Sequence, residues 1–72
     1  MRKELSRHWG NEANPKREAV IYHNYRKDIF EVEFWNEGKL IENRAMVTDG
    51  VAHSESYADD AAENWCLGYI PL

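Results

Sequence analysis

Seventy-two residues, 43% hydrophobic and 31% charged, describe one small domain, because a second core would need a chain of roughly 100 residues or more. A formal charge of -4 and a pI near 5.2 exclude a general nucleic-acid coat, which depends on an excess of Lys and Arg to neutralise phosphates. No apolar run approaches the ~20 residues of a membrane span, and Met1-Arg2-Lys3-Glu4 leads into no apolar signal core, so a cytoplasmic protein is expected. The single cysteine, Cys66, excludes an internal disulfide framework. A chain this short must then be held by its aromatic residues, by a partner or by self-association.

Residues 1–18 form a basic leader, with five basic residues (Arg2, Lys3, Arg7, Lys16, Arg17) against Glu4, Glu12 and Glu18. RKELSRHW, with Leu5 and Trp9 one helical turn apart, is read as a flexible tail or as a short helix that must dock to be stable. GNEANPKR carries turn formers and suits a loop. The compact domain is expected over 19–72. AVIYHNY is rich in strand formers, and IFEVEFW alternates Phe30, Val32 and Phe34 against Glu31, Glu33 and Trp35, the period of a half-buried strand. Asn36-Glu37-Gly38-Lys39 is a turn, and LIENRAMV follows as a third strand.

Two-residue turns would place Ile21 opposite Val32, Tyr22 opposite Glu31, Phe34 opposite Ile41 and Glu31 opposite Arg44; a slip of one residue would exchange the faces. After the turn at Thr48-Asp49-Gly50, a helix is expected from Ser54 to Leu67. Ala58, Ala61, Ala62, Trp65, Cys66 and Tyr69 form its apolar stripe, Ser54 or Ser56 its N-cap, and Gly68 its stop. The expected fold class is α+β: a three-stranded antiparallel sheet in β-β-β-α order with the C-terminal helix packed on one face.

None of the residue patterns points to catalysis. His8, His23, His53 and Cys66 lack the paired spacing of a metal site, so no metal or cofactor is expected. Cys66 falls on the apolar stripe and reads as an inert small hydrophobe. Glu31 and Glu33, ~7 Å apart along one strand, imitate a glycosidase pair only in spacing, since such enzymes flank a cleft with separate elements. No phosphate loop or nucleophile elbow occurs.

The outer sheet face, expected to carry Tyr22, Glu31, Glu33, Trp35, Leu40, Glu42, Arg44 and Met46, mixes residues favoured at protein interfaces with acids that disfavour nucleic-acid stacking. Asp59, Asp60 and Glu63 give the helix an acidic outer side that could oppose a basic partner. A plain alternative is that Trp35 and Leu40 cover each other, or are covered by Leu5 and Trp9.

The segment SESYADDAAENWCLGYI resembles the C-terminal helix of short tailed-bacteriophage proteins, including those of cyanobacterial phages, in which a hairpin similar to IFEVEFWNEGKLIENR precedes it. The resemblance spans about residues 19–70 and implies a host-cell cytoplasmic setting and a helper role, with no site residues. In architecture the expected order is similar to sheet-plus-helix DNA-binding modules of plant transcription factors and phage integrases. Those modules read DNA from a basic sheet, where this chain has Glu31, Glu33 and Glu42.

The leading expectation is a non-catalytic protein-binding module that docks, as a phage effector on a host protein, through Tyr22, Glu31, Glu33, Trp35, Arg44, Met46, Asp59, Asp60 and Glu63. Two alternatives stand beside it. One is nucleic-acid binding through the leader and the Arg26-Lys27 turn; the other is a homo-oligomer that buries Trp35 and Tyr22.

Overall fold

The computed structural model describes residues 1–70. Four strands, β1 (Arg2–Trp9), β2 (Arg17–Asn24), β3 (Ile29–Asn36) and β4 (Lys39–Ala45), form an antiparallel sheet in the order β1-β2-β3-β4. A small hairpin of β5 (Val47–Thr48) and β6 (Val51–Ala52) leads into helix α1 (Glu55–Cys66). The α+β class, the meander and the C-terminal helix are as expected, with one more strand in the sheet.

That strand is β1. The segment expected as a flexible leader or short helix is instead an edge strand paired along its length with β2. Leu5 is an extra residue in this ladder: Glu4 faces Tyr22 and Ser6 faces Ile21, so a bulge breaks the alternation at Leu5. With the period interrupted, Leu5 and Trp9 imitate helical spacing, although the docking sheet edge decides the conformation. The loop back to β2 is closed by the Gly10 amide donating to the Arg17 carbonyl at 2.8 Å. A Cβ on Gly10 would lie 1.7 Å from the Asn14 carbonyl oxygen, so only glycine permits this closure.

The β2–β3 register is the expected one, with Ile21 opposite Val32 and Tyr22 opposite Glu31. At the next hairpin Glu37 (φ 55) and Gly38 (φ 77) both take positive φ, the turn whose twist matches flanking strands. Trp35 then faces Leu40, but Phe34 faces Glu42 and Val32 faces Arg44. A bulge at Ile41 shifts the expected pairing by one residue. Glu31 therefore lies opposite Ala45, not Arg44, and Glu42 and Arg44 move to the helix side of the sheet.

The helix side holds the core: Ala19, Ile21, Val32, Phe34 and Met46 against Ala58, Ala62, Trp65 and Cys66. Small alanines let α1 approach the sheet closely, and Trp65 fills the remaining space edge-on to Phe34, with ring centroids 5.6 Å apart. Its indole Nε1 donates to the Glu18 and Trp35 carbonyls, each at 3.1 Å. Ser54 caps α1 by accepting from the Tyr57 amide. Bonds from the Gly68 and Tyr69 amides to the Trp65 and Asn64 carbonyls close the C-terminus in the manner of a Schellman motif. Tyr69, expected on the apolar stripe, lies beyond this stop and is exposed.

Candidate docking face

The sheet face away from α1 is built in transverse rows set by the ladders. One row runs Trp9, Glu18, Trp35, Leu40 across all four strands; a second runs Arg7, Val20, Glu33, Asn43; a third runs Glu4, Tyr22, Glu31, Ala45. Tyr22, Glu31, Glu33 and Trp35 thus share this face, as the alternation of β2 and β3 implies. Met46 does not. It is 3% exposed beneath α1, because the Ile41 bulge inverts the side on which β4 and its continuation point. Arg44 is likewise on the helix side, its guanidinium 5.4 Å from the Phe34 ring and paired with Glu42. Asp59, Asp60 and Glu63 lie on α1, across the sheet from the outer face. Asp60 and Glu63 are exposed, and Asp59 is 3.4 Å from His8 Nε2. The expected docking residues therefore divide between opposite sides of the molecule, and one flat partner cannot cover both.

Two of the outer-face glutamates are buried, with Glu31 9% and Glu33 7% exposed. Arg2 reaches over the sheet to satisfy them. Its Nη1 donates to Glu31 Oε1 at 3.1 Å and to Asn43 Oδ1 at 3.1 Å, and its Nη2 to Glu33 Oε2 at 2.8 Å. The guanidinium also lies 3.9 Å from the centre of the Tyr22 ring, the arrangement of a cation–π contact. Asn24 Nδ2 donates to Glu31 Oε2 at 3.0 Å, and Trp35 Nε1 to Glu33 Oε1 at 3.2 Å.

Burial alone would push the Glu31 carboxyl up, but the donors Asn24 and Arg2 outweigh it and hold the group below its ordinary range. Burial, followed by the charge of Glu33, pushes the Tyr22 phenol up. The same contacts tie β1 to β3 across the intervening strand, because Arg2 of β1 binds both Glu31 and Glu33 of β3.

At the Trp9 end the face opens. Trp9 is 68% exposed and Leu40 47%, with half-buried Trp35 between them. Glu18 sits between the tryptophans and is bound by Arg7 Nη1 at 3.1 Å, while Arg7 also pairs with Glu4 at 2.9 Å. A shallow hollow of about 570 Å³ runs past Trp9, Pro15, Lys16, Glu18 and Glu37. A second, of about 270 Å³, lies over Val20 between Arg7, Tyr22, Glu33 and Trp35. From the sequence Trp9 is expected on a short helix with Leu5, or with Leu5 as a cover for Trp35 and Leu40. The signal that could have placed it was the outward pair Arg7 and Trp9, two residues apart after the break at Leu5.

Cys66 is buried, and burial pushes its thiol up to about 11, the behaviour of a packing residue. Among the described residues no group of three His, Cys, Asp or Glu is placed to hold a metal ion, and no helix is long and apolar enough to cross a membrane. In comparisons with known proteins, no family model, curated protein or solved structure matches this chain.

Proposed function

We propose that the protein is a non-catalytic binding module that engages another protein through the outer sheet face, with Trp9 and Trp35 as aromatic anchors. The observation that carries this reading is the Trp9–Glu18–Trp35–Leu40 row. Two tryptophans and a leucine stand in line on a rigid sheet, partly or largely open to solvent, beside charged groups already satisfied within the chain. Exposed aromatics on a preorganised surface, rimmed by polar groups, suit a protein contact because little conformational entropy remains to be lost there. The acidic helix is a separate surface in this reading. The resemblance to short phage proteins adds a host protein as the class of partner and the host cytoplasm as the setting.

The nucleic-acid alternative draws on fewer free cations in the leader, since Arg2 and Arg7 are engaged by Glu31, Glu33, Glu4 and Glu18 and Lys16 lies 3.8 Å from Glu37, while Arg26 and Lys27 of the β2–β3 turn are exposed. Releasing phosphate counterions needs cations that are not already neutralised.

The test is affinity capture from a host lysate with wild-type and Trp9→Ala baits, followed by mass spectrometry and a binding titration of the captured protein. Trp9→Ala should leave stability within about 0.5 kcal/mol, as an exposed substitution does, and weaken binding by about 2 kcal/mol or more. Equal binding by both baits, or capture of nucleic acid alone, would remove the proposed role of this face.

A further inference from the structure

The second edge of the sheet is self-complementary, and we propose that β4 pairs antiparallel with β4 of a second copy, joining two sheets into one of eight strands. This inference is independent of the outer-face reading, because it rests on a different set of atoms.

The direction of the backbone groups comes first. The Met46 amide donates to the Phe30 carbonyl at 2.8 Å, so it points at β3. Alternation along an antiparallel ladder turns the amides of Arg44 and Glu42 toward β3 as well, and those of Asn43 and Ala45 toward the open edge. An unpaired edge of this kind is a template for another strand.

The side chains then select which strand fits. A two-fold axis through Asn43 sets Asn43 against its own copy, with reciprocal amide-to-carbonyl bonds. It places Glu42 opposite the second copy's Arg44, and Arg44 opposite the second copy's Glu42. These flanking positions are the non-hydrogen-bonded sites, where facing residues approach most closely and opposite charges attract most. Glu42 and Arg44 already pair within the chain, and their side chains are 38% and 41% exposed. In the dimer the two internal pairs close into a ring of four alternating charges. A strand without this pattern would set like charges, or none, against the same positions, so the charges that blunt the edge toward other strands admit a rotated copy.

The surroundings agree. Helix α1 packs chiefly over β1, β2 and β3, β4 is the last strand of the sheet, and Ile41, 45% exposed, would meet the second copy's Ala45. The bulge at Ile41 falls near the start of β4 and leaves residues 42–45 as a regular run. At the other edge the Leu5 bulge interrupts the middle of β1, where a symmetric pairing would need regular backbone. A chain of 72 residues with one small core also stands to gain from the area a second copy covers.

Sedimentation equilibrium on wild type, Glu42→Lys, Arg44→Glu and the double exchange E42R/R44E tests the proposal, with near-ultraviolet circular dichroism confirming that each is folded. Wild type should show reversible monomer–dimer exchange. Each single variant sets like charges against each other and should weaken dimerisation by at least about tenfold. An equimolar mixture of the two single variants should form heterodimer. In that pairing the lysine introduced into one chain faces the glutamate introduced into the other, and the native Arg44 of the first faces the native Glu42 of the second. The double exchange should restore the homodimer.

Should a charge variant fail to fold, amide exchange of the wild type decides: Asn43 and Ala45 should become protected as concentration rises. A wild type that remains monomeric into the millimolar range overturns the proposal. So does a dimer indifferent to all the charge variants, a variant mixture that forms no heterodimer, or a dimer abolished by Trp9→Ala and not by Glu42→Lys.

Discussion

Arg2 shows how one side chain can set the character of a whole face. Without it Glu31 and Glu33 would be two buried carboxylates on one strand face, repelling each other and partly stripped of water. Its forked guanidinium supplies a donor to each while its flat side covers Tyr22, a geometry that lysine cannot reproduce. Arg2→Ala should therefore destabilise the fold by about 2 kcal/mol in urea denaturation at pH 7, a value below that of a fully buried pair because Arg2 is partly open to solvent. Adding Glu31→Gln and Glu33→Gln to Arg2→Ala should recover part of that loss, because no uncompensated charge remains. If the triple variant is less stable than Arg2→Ala alone, the carboxylates have partners that matter more than Arg2.

Glu31 also makes a pH prediction. Burial opposes its ionisation, but Asn24 and Arg2 prevail and hold its carboxyl below the ordinary value in the folded chain. The unfolded chain thus binds its proton at higher pH than the folded chain does. The contribution is complete above the ordinary carboxylate pKa of about 4.5 and is lost as pH falls through the lower folded value. Stability measured between about pH 6 and 2, the range in which carboxylates titrate, should fall less steeply below about pH 4.5 in Glu31→Gln than in wild type. Identical slopes would place the acid sensitivity in other carboxylates.

At the scale of elements, α1 is pinned to the sheet chiefly at its C-terminal end. Trp65 meets Phe34, donates to two carbonyls and lies 4.1 Å from the Arg17 guanidinium, while Arg17 Nη1 donates to the Trp65 carbonyl at 2.9 Å. Asn14 reaches the Leu67 carbonyl from the β1–β2 loop at 3.3 Å. The loop and the helix end therefore brace each other, and the alanines upstream serve mainly to let the axis come close. Trp65→Ala removes the largest wedge and leaves the Glu18 and Trp35 carbonyls without their donor. It should cost about 3–5 kcal/mol, enough to unfold much of a domain this small at 25 °C. An unchanged melting temperature would show that α1 is held by other contacts.

For the molecule as a whole, β1 decides whether the sheet can have a finished outer face. It covers the β2 edge and brings Arg2 to Glu31 and Glu33 on β3, two strands away. Deleting residues 1–9 should do more than remove a tail. It should expose the β2 edge, strand the two glutamates and abolish cooperative unfolding, with loss of amide dispersion and a tendency to aggregate. A truncated chain with a native-like spectrum would mean that three strands and the helix suffice.

Much of this architecture is written in local pattern. The alternation of IFEVEFW, the turns at Asn36-Glu37-Gly38-Lys39 and Asp49-Gly50, and the Ser54-capped alanine stripe each specify their element from neighbouring residues alone, and the β2–β3 register follows from the apolar face that must be buried. Tyr22, Glu31, Glu33 and Trp35 could accordingly be assigned to one face from the sequence. What escaped that reading depends on contacts between distant segments. Bulges at Leu5 and Ile41 each add one residue that no periodicity announces, and each inverts the rest of its own strand. One masked the strand period of β1 and set Trp9 outward; the other carried Arg44 to the helix side and Met46 into the core. The engagement of Arg2 with Glu31 and Glu33, across 29 and 31 residues of chain, exists only once β1 has docked. Sequence by itself determined β2, β3, β4, the turns between them and the helix, because side-chain period and backbone preference are local. Tertiary structure decided the register at the two edges, and with it which charges are buried and which aromatics remain open to a partner.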